Sequence, residues 1–210
     1  MINKIILSLA ALLAIGFGVY SYIQGAPIGN IKEQLTHATY LYDQKTAIAD
    51  YKLIDHDGKT FTPDSIRGAW TFWFFGFTHC PDICPITLGT LSASVNQLKS
   101  KHNIKDEIKI IFVSVDPERD NTDALKSYVT SFSKHAIGVT AANEQLAPFL
   151  KNMGIIAIKQ NNDGQLSNYL VDHSSSIYLI APDTGISAYF STPHEVKTLV
   201  NDFLTIQKFY

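Results

Sequence analysis

Cys80 and Cys84 are the only two cysteines in a chain of 210 residues, and both fall in "FGFTHCPDICPITL". Any special sulfur chemistry must therefore lie in this one stretch. Two thiols at this spacing can serve as a disulfide staple, a redox couple or a metal clamp. If the stretch turns like a helix, their Cβ atoms lie about 5–6 Å apart on one face. Two thiolates bound to one ion at about 2.3 Å each stand at most about 4.6 Å apart, so a shared metal is permitted. A disulfide is also permitted, although its Cβ separation of about 3.8 Å needs local tightening. It would close a very short loop and stabilise little on the loop-closure account. Pro81 and Pro85 both suit the first position of a helix. At least one thiol is then expected at a helix N-terminus, where the dipole favours a thiolate and Asp82 opposes it.

A metal held by two thiolates needs a further ligand unless it is linear Cu(I). An iron–sulfur cluster wants four cysteines. Structural zinc usually takes more sulfur than two thiols offer. Copper with two thiolates and one imidazole is the remaining natural set. Seven histidines compete for the third place. His37 lies in an irregular stretch, His56 in a turn, His194 in a helix first turn. His102 ends a helix, where a cation is favourable without any metal. His79 adjoins Cys80. His173, in "LVDHSSSIYLI", falls in the break between two strand-like runs. The residues alone leave His173 and His79 level.

Several elements must position these groups. "AWTFWFFGF", Ala69 to Phe77, is a near-continuous apolar run that suits a central strand buried on both faces. Leu88 to His102 reads as a helix, with its continuous part beginning as early as Pro85. The cysteine pair thus falls where a central strand ends and a helix begins, the edge of an open α/β sheet at which ligands bind. "IKIIFVSVD" is a second buried strand, and a helix follows, capped at Asn121 or Thr122. "AIGVTAA" reads as a strand and "NEQLAPFLKNMG" as a helix closing at Gly154. "YKLIDHDGKTFTP" is a hairpin turning at Asp57-Gly58. Two more hairpins turn at Asp163-Gly164 and near Asp183–Gly185. The last helix is expected to have Thr192 as N-cap, Pro193 at its first position and Glu195 at its third. Strands alternating with helices imply a mostly parallel sheet with helices on both faces.

The bulk properties narrow the function. A hydrophobic fraction of 46% and a charged fraction of 17% fit a folded chain. A net charge of −2 with no basic run argues against a nucleic-acid partner. Two cysteines exclude a disulfide-rich scaffold. The run "IILSLAALLAIGFGVYSYI", Ile5 to Ile23, carries no charge, and a helix of that length spans roughly 29 Å, enough for a bilayer core. Lys4 precedes it and should stay cytoplasmic. "YIQGAP" is a poor cleavage site, so an anchor is expected rather than a removed signal. The expected organisation is a membrane anchor over 1–26, a tether with some local structure over 27–50, and a folded domain over 51–210. In a Gram-negative bacterium this places the domain on the periplasmic side of the inner membrane.

Three segments resemble motifs of the Sco/SenC family of copper proteins: "GFTHCPDICP", "SVDPERDNTDALKSY" and "YLVDHSSSIYLIAPDTG". The likeness runs from about Asp50 to Leu204. It implies a thioredoxin-like α/β domain, with the Tyr51–Pro63 hairpin as an N-terminal addition. It implies copper, Cu(I) or Cu(II), bound by Cys80, Cys84 and His173, with Asp172 and Asp116 as candidates for the surrounding shell. A turn or helix cap is the plain alternative for Asp116. The implied role is assembly of the binuclear copper centre of cytochrome c oxidase. The implied partners are the copper-bearing oxidase subunit and, upstream, another copper chaperone or a thioredoxin-like reductant.

Two other functions compete. A thiol–disulfide oxidoreductase would use Cys80 and Cys84 as a redox couple on an oxidase subunit or another exported protein. Against it, the motif has three intervening residues rather than two, and Asp172-His173-Ser174 stands where thioredoxin-like enzymes carry a cis-proline. A peroxidase would want a single reactive Cys beside Thr and Arg; Thr78 is near, but no Arg is close in sequence.

Overall fold

A computed structural model describes residues 15–17, 31–41, 48, 50–160 and 169–210. In chain order its strands are β1 (Ala38–Tyr40), β2 (Leu53–Asp55), β3 (Thr60–Phe61), β4 (Ala69–Gly76), β5 (Glu107–Ser114), β6 (Ala136–Thr140), β7 (Ala157–Gln160), β8 (Leu170–His173), β9 (Ile177–Ile180) and β10 (Ile186–Phe190). Its helices are α1 (Ile31–Gln34), α2 (Ile83–Ser100), α3 (Thr122–Phe132), α4 (Asn143–Asn152) and α5 (Val196–Phe209).

Strand β4 is the spine, and every one of its residues is buried. Side chains alternate across a strand, so its aromatic run serves two cores at once. Trp70, Phe72 and Phe74 pack with α2, α3 and α5 on one face. Trp73 and Phe75 pack with α4 and the β2–β3 hairpin on the other. A strand read as apolar throughout is therefore the signature of burial on both sides.

The main sheet runs β1-β10-β9-β4-β5-β6-β2-β3. The expectation of a mostly parallel sheet is corrected here. Only β4–β5 and β5–β6 are parallel, whereas β1–β10, β10–β9, β9–β4, β6–β2 and β2–β3 are antiparallel. The parallel pairs are those joined by the long crossovers α2 and α3. The tight hairpins β2–β3 and β9–β10 can only produce antiparallel neighbours. Gly58, at φ 78°, turns the first hairpin as its Asp-Gly pair predicts.

Two helix starts differ from expectation. Helix α2 begins at Ile83, so Pro85 lies inside it. Pro85 holds its third position, where the backbone N–H has no intrahelical partner to lose, and Ile86 N–H is free to reach the Asp82 carbonyl at 3.4 Å. Helix α5 begins only at Val196, with Glu195 as N-cap. Thr192 and Pro193, joined by a cis peptide bond, lie before it. Its buried face, Leu199, Val200, Phe203 and Ile206, fixes where the helix meets the sheet.

Strand β1 draws part of the 27–50 stretch into the sheet by pairing with β10. Of the apolar run Ile5–Ile23, only the helical residues 15–17 are described, so the expected anchor lies outside the described residues. Among those described, no helix is long and apolar enough to cross a membrane. The expected turn at Asp163-Gly164 also lies outside them.

Candidate metal centre

The carboxyl end of β4 delivers the chain into the cysteine stretch. Phe77 follows the strand, and Cys80 N–H returns to the Phe77 carbonyl at 3.2 Å, turning the chain before α2. Cys84 is then the second residue of α2 and is fully buried, while Cys80 precedes the helix and is part-exposed. Both thiols are free. The Cys84 amide donates to Cys80 Sγ at 3.4 Å. One sulfur therefore caps the helix end that carries the other, in the position where backbone donors favour negative charge.

His173 arrives from a separate element. Strands β7 and β8 form their own antiparallel pair outside the main sheet, with His173 opposite Ala157. The imidazole stands edge-on to Phe74 and Phe77, with ring centroids 6.1 and 5.9 Å away. Its Nδ1 lies 3.1 Å from the Ser174 carbonyl, which can only accept, so Nδ1 carries the proton. Nε2 is thereby left as a lone pair, 3.5 Å from Cys84 Sγ.

The ligand atoms of Cys80, Cys84 and His173 all lie within 4.8 Å of one another. That spread is slightly wider than the roughly 4.6 Å that two bonds of about 2.3 Å span, so holding a single ion draws the three ligands slightly together. Soft sulfur with one imidazole is a donor set for copper or zinc rather than for a hard cation. Cys80 and His173 open onto a shallow depression of about 260 Å³, walled also by Phe77, Pro81, Ile83, Leu170 and Asp172, while Cys84 lies buried behind it. Burial, and next the neighbouring Cys80 sulfur, hold the Cys84 thiol well above the ordinary thiol range. Burial pushes His173 the other way and keeps it neutral. Without an ion, the pair is a protonated thiol facing an unprotonated imidazole, and an incoming metal displaces a proton.

The two histidines differ in direction, and only His173 joins the thiols in one cluster among the described residues. His79 is 56% exposed, and its Nδ1 turns away from the thiols to Thr78 Oγ1 at 3.0 Å and to Asp120 at 3.7 Å. Asp172, adjacent to His173, is exposed and hydrogen-bonds Gln160 across the hairpin. Asp116 is fully buried; its carboxylate accepts from the Tyr169 hydroxyl and from Arg119 Nε, each at 2.5 Å. Among the described residues, neither carboxylate hydrogen-bonds a thiol or His173.

Sequence reasoning missed Asp120. It is fully buried and accepts from Thr78 N–H at 2.9 Å, Thr78 Oγ1 at 2.5 Å and Ser114 Oγ at 2.7 Å. It ties the β5–α3 loop to the residues just ahead of Cys80. The sequence signal was its place four residues after Asp116 in "DPERD", which reads equally well as a helix approach.

The chain is similar to several known proteins. The SCO2-like protein RP587 of Rickettsia prowazekii is 31% identical over 203 residues, 96% of each chain. The mitochondrial SCO1 homolog 1 of Arabidopsis thaliana is 35% identical over 151 residues, 72% of this chain and 44% of that one. The chain spans about half the length of the plant and bovine mitochondrial relatives it matches, 44% and 56%. The crystal structure of Arabidopsis thaliana ScoI with copper bound aligns with a TM-score of 0.73 at 34% identity, over 78% of this chain and 100% of that one. A family model described as SCO1/SenC matches residues 40–207, a span that holds the sheet except the start of β1, with both cysteines and His173. The chain belongs to the SCO1/SenC family.

Proposed function

We propose that this chain is a copper metallochaperone. It takes copper on Cys80, Cys84 and His173 and delivers it to the binuclear copper centre of cytochrome c oxidase during assembly. The carrying observation is the convergence of two thiols and one imidazole lone pair within 4.8 Å. Two thiolates suit Cu(I), and the imidazole also accommodates Cu(II). The part-exposed Cys80 and the open depression suit a cargo that must leave again, because a partner's ligands can approach from that side. Membership in the family supports the oxidase role. The uncharged run Ile5–Ile23 would hold the domain at a bacterial inner membrane, facing the periplasm, where the acceptor subunit is also expected.

The test is titration of the reduced full-length chain with Cu(I) and with Cu(II). One equivalent of each should bind, and Cys80→Ser, Cys84→Ser and His173→Ala should each weaken it. If His173→Ala leaves the Cu(II) spectrum unchanged while His79→Ala abolishes it, the ligand assignment is wrong. The loaded chain should then transfer copper to the copper-binding domain of the oxidase subunit, read by that domain's own absorption.

A second reading rests on a different observation. Both cysteines are free, one accessible and one buried, as in a redox couple. A membrane-anchored thiol–disulfide oxidoreductase would attack a partner's disulfide with Cys80 and resolve with Cys84, leaving a Cys80–Cys84 disulfide. Rapid disulfide reduction by a chain that retains no copper would favour it.

A further inference from the structure

The metal centre is made of two halves that no direct strand pairing joins, since β8 lies outside the main sheet. The thiols sit at the junction of β4 and α2. The imidazole sits on β8, whose only strand partner among the described residues is β7. Backbone ties them only indirectly, because β8 runs through residues 174–176 into β9, which pairs with β4; side-chain contacts supply the direct brace between the two halves.

One loop touches both halves. Asp120 grips Thr78, two residues before Cys80, through two hydrogen bonds, and accepts a third from Ser114 Oγ. Asp116 grips Tyr169 at the entrance to β8. Ser114 links the two residues, because its Oγ donates to the Asp120 carboxylate and accepts the backbone N–H of Asp116 at 3.1 Å. Arg119 closes the second grip: its guanidinium lies 3.6 Å from the Tyr169 ring centre while its Nε bonds Asp116. Glu118 of the same loop meets Lys159 of β7 at 2.6 Å. Both acids and Tyr169 are buried. Charge-assisted bonds in such a setting hold geometry tightly.

We infer that the 114–120 loop gauges the gap between the thiols and the imidazole, with Asp116 and Tyr169 as positioning residues for His173. Resting on the copper reading above, it assigns the grip on Tyr169 a specific consequence. Two thiolates suffice for Cu(I), whereas Cu(II) draws on the imidazole. Loosening β8 should therefore weaken Cu(II) far more than Cu(I), and so shift the balance between the two oxidation states.

The test compares the full-length wild type with Tyr169→Phe and Asp116→Asn. Tyr169→Phe should lower Cu(II) affinity by about tenfold or more, the usual effect of removing a support behind a metal ligand. Its Cu(II) absorption should move toward that of His173→Ala. Cu(I) affinity, read by competition with a chromophoric chelator, should change by less than about threefold, well under that loss. Asp116→Asn keeps an acceptor for the Tyr169 hydroxyl and should fall between wild type and Tyr169→Phe. Equal losses for both oxidation states, or an unchanged Cu(II) spectrum in Tyr169→Phe, would overturn the proposal. A metal-free readout separates it from the copper reading. Amide exchange in 157–160 and 170–173 should speed up in Tyr169→Phe while that of β4 and β5 does not. If wild type binds no copper yet this selective loosening appears, the grip stands and the copper reading falls. If copper binds and exchange is unchanged, the grip falls alone.

Discussion

A Cβ placed on Gly76 would stand 2.7 Å from Cys84 Sγ and 2.9 Å from the Phe112 ring. Gly76 is the last residue of β4, and the buried sulfur of α2 rests directly on its backbone. A side chain there must displace either the thiol or a core ring. Gly76→Ala should destabilise the fold by about 1–3 kcal/mol, the usual range for overpacking a filled core. It should also lower copper affinity, because the sulfur has no room to retreat except out of line with His173. Chemical denaturation and copper titration of the same variant read both effects. Unchanged copper binding would mean that Phe112, not Cys84, gives way.

Asp202 of α5 ties down the segment that leads into the domain. Its Oδ1 accepts from Thr36 N–H and Thr36 Oγ1, both at 2.8 Å, and its Oδ2 accepts from His37 N–H at 2.8 Å and Ala38 N–H at 2.7 Å. The carboxylate is fully buried. Asn has one acceptor oxygen and would turn its NH₂ toward backbone donors, so it cannot substitute. Asp202→Asn and Asp202→Ala should each cost at least about 2 kcal/mol, since several charge-assisted bonds go together. Amide exchange in β1 should rise with the loss. A stability within error of wild type for Asp202→Asn would remove Asp202 from this role.

How much of this was legible depends on how local each signal is. The aromatic run of β4 was readable because double-sided burial leaves no room for polar alternation. The cysteine pair was readable because its spacing and its place after a strand are both local. Asp120 was not, because its partner Thr78 lies 42 residues away and nothing in "DPERD" records which way a carboxylate points. That His173 rather than His79 faces the thiols depends on the β7–β8 pair rather than on neighbours in sequence. The start of α5 was misplaced because Thr192, Pro193 and Glu195 form a good local capping pattern, while packing of Leu199 and Phe203 set the helix. The sheet looked more parallel than it is because strand–helix alternation describes only β4, β5 and β6, and the remaining neighbours come from hairpin returns.

His194 gives the metal-free domain a pH dependence. Its Nε2 lies 2.8 Å from the Ser175 carbonyl, and its buried Nδ1 has no hydrogen-bond partner among the described residues. Burial lowers its proton affinity in the folded state, as it does for His173. The unfolded chain then binds protons that the folded chain does not, beginning near pH 6.5. Stability should be full above that value and fall as pH drops through it, until the folded histidines also protonate. Denaturation midpoints at pH 7.5 and pH 5.5, both relative to the ordinary histidine value of about 6.5, should differ in wild type and differ less in His194→Gln. A midpoint that rises on acidification would contradict the sign.

Copper loading should follow pH through the thiols and not through His173. Burial raises the Cys84 thiol well above its ordinary range, so it enters the site protonated and must release that proton to bind a metal. His173 is held neutral by its own lowered value, so above about pH 6.5 it has no proton to lose. The slope of log affinity against pH between about 6.5 and 8 therefore counts thiol protons only. Cu(I) affinity should rise at least about tenfold per pH unit, one proton being released per ion from Cys84 alone. His173→Ala should lower Cu(II) affinity without changing the Cu(I) slope, whereas Cys84→Ser should reduce that slope by about one. Parallel titrations at three pH values with a competing chelator measure it. A Cu(I) affinity that is flat across this range would mean that Cys84 is already a thiolate, and that the cap on the helix end outweighs the burial of its sulfur.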